Sequence, residues 1–570
     1  MIIRQLDIEN FRGIKSLSLH LDETTVIFGS NNTGKSTIMA AIHCVLSRAF
    51  GRKGGIFSEY DFHLDGAMQP TDAPPIQITV KFSETMEAEW PDEKVQQLDK
   101  VVGVTADGLQ VVTLRVTGSF DDAANSFVTT SDFLDPAGNP YPSNPNALRK
   151  LQQIIPAFYL AALRDAGREF RAGAPFWGPF VKALKIDPAV RAQIEQDIAN
   201  LNQQVLDAHT GFESVKTRLA NSGKMVPLGG GADPVRIEAL PNRVFDILAK
   251  TQVMLSGKTG AALPLSQHGE GTQSLAVICL FDAFLDAQLI GEFGEGAVPI
   301  LTLEEPEAHL HPAAVRAVGQ MLSNFVGQKL ISTHSGDLLS SVSLKSLRRL
   351  RRVGDEVKVF QLTDGAIGNE DLRRLDHHVR RHRGGFLFAK VWLLVEGETD
   401  ETVFQETARI LGVDLFGIGV CCFKFTEIGV EPFIRLADQF GIHWIVVADA
   451  DGSGNGYAAA AQGLLNGRHG ADHIRQIPAW DIETYLSIHG YGHMYLATVS
   501  AQLQALYPIS DPVGTDNYWK HVVTKLQPKK GKPARVAGVI EEMEKPSSRG
   551  VPQYLREVIE LTVAKTGEGD

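Results

Sequence analysis

The chain has 570 residues, 44% hydrophobic and 21% charged, a balance that excludes a disordered polymer, a collagen and a coiled-coil rod. Its length suggests about three to five domains with room for full cores. A formal net charge of −12 gives no global attraction for nucleic acid, although binding is set by local fields.

The opening reads as strand, strand, glycine loop, helix. Ile2–Ile8 and Leu17–Leu21 alternate with period two, Val26-Ile27-Phe28 is a short buried strand, and Thr37–Ser47 carries a helical apolar face. The N-terminus has no signal-peptide apolar region. No apolar run approaches the roughly 18–20 residues of a membrane span, and the best, Leu275–Phe281, runs into Asp282 and Asp286. Cys44, Cys279, Cys421 and Cys422 follow neither a disulfide nor a zinc spacing, so a reducing cytoplasm is the simplest expected compartment.

Pro75–Phe82 and Leu109–Val116 read as strands of an antiparallel sheet, and the proline-rich stretch Asp132–Asn146 as a surface loop. From about Gly167 to Lys250 the pattern is helical and polar, which predicts an inserted helical segment. Such helices can form a dimer interface or pack on their own sheet. Residues 265–340 return to α/β character, with a helix over Thr272–Leu289 and buried strands at Pro299–Leu303 and Lys329–Ser332. A boundary falls at Arg380–Gly385. Beyond it, strands at Val391–Val395, Gly417–Cys422 and Trp444–Ala448 alternate with helices at Glu401–Leu411 and Glu431–Phe440, the pattern of a second parallel unit. From about residue 490 onward the chain reads as mostly helical.

Two basic stretches oppose the overall charge. Lys345–Arg383 holds Arg348, Arg349, Arg351, Arg352, Arg373, Arg374, Arg380, Arg381 and Arg383, and reads as a solvated face or linker. Lys520–Arg535 holds Lys525, Lys529, Lys530, Lys532 and Arg535 with no acid among them.

Two sets of residues carry chemistry. Gly29-Ser30-Asn31-Asn32-Thr33-Gly34-Lys35-Ser36 fits the full phosphate-loop pattern between a strand and a helix. Its glycines let backbone N–H groups wrap phosphates, Lys35 reaches the β- and γ-phosphates, and the Ser36 hydroxyl ligates Mg²⁺. Ile300-Leu301-Thr302-Leu303 delivers Glu304 and Glu305 to a strand's C-terminal edge, Glu304 toward Mg²⁺ and Glu305 toward the attacking water. Lys329–Ser335 ends a further strand at His334, in reach of a γ-phosphate beside Glu305. In the second set, Val395-Glu396-Gly397-Glu398-Thr399-Asp400 follows one strand, and Asp449-Ala450-Asp451 ends another. Glu396, Asp449 and Asp451 then share one rim. Hard carboxylate oxygens in one cleft repel each other and favour Mg²⁺ or Mn²⁺. Each acidic motif alone is more often a solvated rim; the pair at matching strand ends is what points to metal.

Asn10-Phe11-Arg12-Gly13, the phosphate loop, Glu304–Pro312 and Ser332-Thr333-His334 together resemble ABC-type ATPases of the SMC/RecF kind. The likeness implies ATP contacts from Arg12, Gly29, Asn31, Asn32, Gly34, Lys35, Ser36, Thr37, Glu304 and His334. It also implies completion of the site by a signature loop of a second copy. Ser266–Ser274 resembles that loop through Gly269 and Gly271, although it departs from the usual L-S-G-G form. The acidic set resembles the Toprim domain of topoisomerases, primases and related nucleases. Both together are similar to the OLD family (overcoming lysogenisation defect) of nucleases.

That resemblance implies an α/β chain built as an ABC-type ATPase domain with a helical insertion, followed by a Toprim α/β domain with a helical C-terminal extension. The expected ranges are 1–166 and 251–383 for the ATPase domain, 167–250 for the insertion and 384–570 for the Toprim part. Glu396, Asp400, Asp449, Asp451 and Glu483 would hold one or two Mg²⁺ or Mn²⁺ ions, with Lys532 as a catalytic lysine. The implied activity is an ATPase and a metal-dependent DNA endonuclease, as a homodimer or higher oligomer, with a helicase as a further partner and phage defence as the setting. Two alternatives stand: an ATP-driven DNA clamp or signalling ATPase that does not cut, and a Toprim topoisomerase using a tyrosine such as Tyr457.

Overall fold

The computed structural model describes residues 1–46, 56–142, 145–160, 186–208, 253–256, 262–294, 296–527 and 532–567, with a few isolated positions between 177 and 244. Three larger sheets organise them, beside a two-stranded antiparallel pair, Met254–Ser256 with Ala262–Pro264. The first is antiparallel, in the order Ile14–His20, Ile3–Phe11, Ile76–Ser83, Gln110–Asp121, Gly103–Val104, and Ser126–Leu134 pairs with Gln110–Asp121 as well. Ile76, Ile78, Val80 and Phe82 alternate inward along one strand, as period two requires. The strand Ser126–Leu134 takes in residues 132–134. The expected loop over Asp132–Asn146 is therefore shorter than its prolines suggest, because pairing with Gln110–Asp121 extends the strand.

The second sheet runs Glu356–Gln361, Leu347–Val353, Thr24–Gly29, Gln328–Thr333, Ile300–Glu304, Ala157–Leu160, parallel except for its edge hairpin. The strand before the phosphate loop lies inside this sheet. It is covered on both faces, which is why Val26-Ile27-Phe28 is continuously apolar rather than alternating. Val26 and Phe28 face one core, and Ile27 faces the other with the helix Lys35–Leu46 and the antiparallel sheet. Gln328 stitches the two sheets together, accepting from Ile3 N–H at 2.8 Å and donating to the Ile3 carbonyl at 2.7 Å.

The third sheet is wholly parallel: Val420–Lys424, Val391–Val395, His443–Ala448, Ile474–Gln476. One face shares a core with the phosphate-loop sheet through Trp392, Phe433, Phe440 and Trp444. The other face is covered by the C-terminal helices Asp516–Lys525, Lys532–Glu544 and Gln553–Thr566.

The first basic stretch is no simple linker. Arg348 and Arg349 are buried on the strand Leu347–Val353. Arg348 pairs with Asp22 at 2.6 Å, and Arg349 donates to the Phe440 and Ala389 carbonyls at 2.9 and 2.8 Å. Their burial follows from contacts far along the chain, which neighbouring residues cannot reveal.

Of the expected helical insertion, the helix Pro188–Asp207 is described, and the remainder lies almost entirely outside the described residues. The four cysteines are free thiols, and no described helix is long and apolar enough to cross a membrane.

Candidate functional site

The phosphate loop needs unusual backbone geometry. Asn32 and Gly34 have φ of 62° and 92°, and a Cβ on Gly29 would collide with the Leu350 carbonyl. The side chains of Asn31, Asn32 and Ser36 are exposed at the loop, and Thr37 is half-buried. Lys35 is folded back, donating to the Gly29 and Ser30 carbonyls at 3.0 and 2.7 Å. Burial lowers its ammonium pKa, opposed by the charge of Glu305.

Glu304 and Glu305 leave the strand Ile300–Glu304 at its C-terminal end. Among the described residues Glu304 Oε1 is buried without a hydrogen-bond partner, which leaves it open to a water or a cation. Its carboxylate also helps raise the Tyr159 phenol pKa, after burial as the main cause. Glu305 takes a positive φ of 44° and lies 3.7 Å from His334 Nε2 on the neighbouring strand's end. Burial and then Lys35 lower the His334 imidazole pKa. Lys35, Glu305 and His334 therefore lie together. Arg12 is held by Asp61 at 2.8 Å.

Glu307 is a residue that sequence reasoning passed over as part of a motif. Its Oε1 accepts from Thr333 Oγ1 at 2.6 Å and from His334 N–H at 2.9 Å. It thereby fixes the turn that carries His334. The signature-like loop leans on the same segment, with Glu270 bonding His309 at 2.9 Å. A Cβ on Gly271 would meet the His309 carbonyl at 2.7 Å. Among the described residues no hydrogen bond or ion pair joins Gly269 or Gly271 to residues 29–37.

The second site lies at the C-terminal edge of the third sheet. Val391–Val395 and His443–Ala448 are neighbours in parallel register, so the residues after them, Glu396 and Asp449, meet. Glu396 Oε1 accepts from Asp449 N–H at 2.7 Å. Asp449 Oδ1 is buried and has no hydrogen-bond partner among the described residues. Asp451 caps the helix Gly452–Gln462 by accepting from Gly454 N–H at 2.7 Å. Asp400 is buried and accepts from Gly397 N–H at 2.8 Å. Glu483 is buried nearby, and Asp481 caps its short helix through Thr484 N–H at 2.7 Å.

Crowding shows in the proton affinities. Asp449 is pushed up to about 9, by burial first and then by Asp400, Glu396, Asp481 and Asp451. Asp400 rises to about 7, by burial first, against the Gly397 N–H and with Glu483, Glu396 and Asp481 adding. Burial likewise raises Glu396. Asp481 therefore belongs to the cluster, although only Glu483 of that pair was expected in it.

The acids do not close into one ligand shell. Among the described residues, the set whose ligand atoms all lie within 4.8 Å of one another is His378, His382 and Glu427, outside this site. The buried, unpartnered Asp449 oxygen and the raised affinities still fit a divalent cation, which would take the place of protons.

Glu398, exposed, pairs with Lys424 at 2.6 Å. Tyr457 packs its ring on Phe425 at 5.0 Å. From the second basic stretch, Lys520 sits over the Trp480 ring, next to Asp481. Lys532 begins the helix Lys532–Glu544, and its side chain lies outside the described residues, as do Lys529 and Lys530.

A family model described as a protein of unknown function, DUF2813, matches residues 1–228 and 232–385. A second, the TOPRIM domain of overcoming lysogenization defect protein-like chains, matches residues 387–451. The chain is similar to the uncharacterized protein YbjD of Escherichia coli, 27% identical over 511 residues, 87% of this chain and 88% of the relative. It is 26% identical to the OLD nuclease of Thermus scotoductus over 491 residues, 79% and 82% of the two chains. Endonuclease GajA of Bacillus cereus is 23% identical over 416 residues, 71% and 67% of the two.

Proposed function

The chain belongs to the DUF2813 family and to the OLD-family nucleases that join an ATPase-type domain to a Toprim domain, and we propose that it is an ATP-hydrolysing, divalent-metal-dependent DNA endonuclease. The observation that carries the metal-dependent reading is the contact of Asp449 N–H with Glu396 Oε1 at 2.7 Å, beside an Asp449 oxygen that is buried and unpartnered.

Glu396, Asp449 and Asp451 would hold the first ion, and Asp400 with Glu483 a second. Bound there, two such ions supply an activated water and charge compensation for the leaving oxygen of a phosphodiester. The Asp449 N–H fixes Glu396, and the Asp451 cap fixes the turn that follows Asp449 into the helix Gly452–Gln462. Asp400, raised to about 7 by burial first, is only partly ionised near neutral pH and would give up its remaining proton to a cation held there. Lys532 is proposed to offset charge on the scissile phosphate.

At the first site Lys35 would leave the Gly29 and Ser30 carbonyls for the phosphates of ATP. Ser36 and Glu304 would hold Mg²⁺, Glu305 would orient the water, and His334 would contact the γ-phosphate. Gly269 and Gly271 would serve a second copy's nucleotide in a homodimer, with the helical insertion at the interface. A helicase partner and a role against phage rest on the family likeness alone.

The test is cleavage of supercoiled and linear DNA with Mg²⁺ or Mn²⁺, with and without ATP. Glu396→Ala and Asp449→Ala are each expected to abolish cutting while ATP turnover continues. Wild-type cutting by both variants rejects the site. Nucleotide-dependent DNA retention without breaks under any metal would favour a clamp.

A further inference from the structure

The helix Asn369–Arg381 carries charge that neither site uses. Leu372, Leu375, His378 and Val379 are buried, whereas Arg373, Arg374, His377 and Arg381 stay exposed. Spacings of three and four residues place Arg374, His377 and Arg381 in one stripe. With Glu427 and Ile428 they line a cavity of about 290 Å³.

Among the described residues Glu427 is the lone acid in that lining, and cations already engage it. Arg381 Nη1 lies 3.1 Å from its Oε2, Lys424 Nζ lies 3.3 Å from its Oε1, and Arg374 donates to its backbone carbonyl at 3.0 Å. Arg374 also pairs with Asp371 at 3.6 Å, so Arg373, Arg374, Arg381 and Lys424 outnumber the acids Glu427 and Asp371 here, and the cavity keeps a net positive charge in an acidic protein. It also has a fixed position relative to the acids. Glu427 follows the strand Val420–Lys424, on the edge that carries Glu396 and Asp449. Thr426 Oγ1 donates to the Glu396 carbonyl at 2.8 Å, and Lys424 pairs with Glu398. One short wall thus joins the cationic groove to the carboxylate cluster.

We infer that this groove is a phosphate-binding track that holds the DNA backbone alongside the acidic cluster. The inference rests on the nuclease reading and adds where the substrate is gripped. Arginine suits the task because its planar fork meets two phosphate oxygens at once. Cations at this spot also solve a problem the cluster creates, since unscreened carboxylates repel a polyanion. A metal ion at His378, His382 and Glu427 is admitted by distance. Charge opposes it, because a dication would share Glu427 with Arg381 and Lys424.

The experiment is anisotropy of a labelled DNA duplex with the full chain in EDTA, so that affinity is read without cleavage. The variant is Arg373→Ala with Arg374→Ala and Arg381→Ala; Arg149→Ala, an exposed arginine on another helix, is the control. At about 100 mM salt the triple variant is expected to bind at least about tenfold more weakly, with a salt slope shallower by about 2–3. The corresponding triple lysine variant should recover most of the slope, which separates charge from folding. Wild-type affinity and slope in the triple alanine variant overturn the track. Loss of pyrophosphate binding with unchanged DNA binding makes the groove a free-anion site and also overturns it. So does stoichiometric zinc that is lost on His378→Ala with His382→Ala. A protein that grips DNA through these arginines yet never cuts keeps the track and refutes the nuclease reading. One that cuts but binds equally well without them does the reverse.

Discussion

Phe28, the residue before the first phosphate-loop glycine, stands edge-on to Phe440 with ring centroids 5.9 Å apart. Phe440 follows the helix Val430–Gln439 and precedes the strand His443–Ala448, which Asp449 follows. Phe28 also stands edge-on to Phe388, just ahead of the strand Val391–Val395, at 5.3 Å, so two aromatic contacts join the base of the nucleotide loop to the sheet that presents the acids. Arg349, on the strand beside Thr24–Gly29, reinforces it by donating to the Phe440 and Ala389 carbonyls.

That junction predicts coupling. Arg349→Met keeps most of the side-chain stem and leaves two buried carbonyls unpaired, costing about 2–4 kcal/mol. The denaturant midpoint should fall, and the effect of ATP on cleavage should shrink toward none while basal cleavage persists. Measuring the ratio of cleavage rates with and without ATP checks this. A fully retained ratio in a destabilised variant would show that the nucleotide acts by another route.

Gly454 predicts how closely the acidic site is built. It lies in the first turn of the helix capped by Asp451, where a Cβ would collide with the Asp449 carbonyl and sit 2.6 Å from Glu396 Oε1. The carbonyl cannot swing aside without moving Asp449. Gly454→Ala should therefore cut metal-dependent cleavage by about a hundredfold or more, with a stability change of only about 1–3 kcal/mol. Cleavage assays beside thermal melting decide it. Near-normal cleavage would mean that the Glu396–Asp449 contact is not needed for the chemistry.

The reason these acids are legible in the sequence is geometric. A residue that follows a buried strand of a parallel sheet must emerge at its C-terminal edge, so Glu396 and Asp449 can be placed before any coordinates exist. The phosphate loop is legible for the same reason, with glycine spacing added. Strand order is not, because nothing local states that Val391–Val395 lies between Val420–Lys424 and His443–Ala448. Arg348 and Arg349 mislead because an arginine-rich run looks solvated until Asp22 and Phe440 are known to face it. Asp481 and Glu307 gain their roles from partners on other elements. Sequence adjacency shows their acidity without showing what they approach.

Glu307 predicts a positioning role in the nucleotide site. Removing its carboxylate frees Thr333 Oγ1 and the His334 N–H together. Glu307→Ala should lower ATP turnover by about tenfold to a hundredfold, mainly through kcat, with a modest change in ATP binding. Glu307→Gln retains an acceptor oxygen and should recover most of the rate. Burial raises the pKa of Glu307, so its environment tolerates a neutral side chain. Steady-state kinetics on both variants test this, and equal losses in the two would reject the hydrogen-bond account.

The acidic cluster predicts a pH dependence whose sign follows from its proton affinities. Asp400 and Asp449, raised to about 7 and about 9, keep protons that an unfolded chain would release near pH 4. Without divalent metal, their contribution to stability is full below about pH 4 and is lost as pH rises through about 7 and then about 9. Metal displaces those protons, so its affinity should increase over the same window, by up to about tenfold per pH unit for each proton released. Melting temperatures in EDTA and in Mn²⁺ between about pH 6 and pH 9 give the measurement. The metal-induced shift should widen with pH in the wild type and flatten in Asp449→Asn. A shift of constant size across that range would mean that the ions do not bind by displacing protons from these carboxyls.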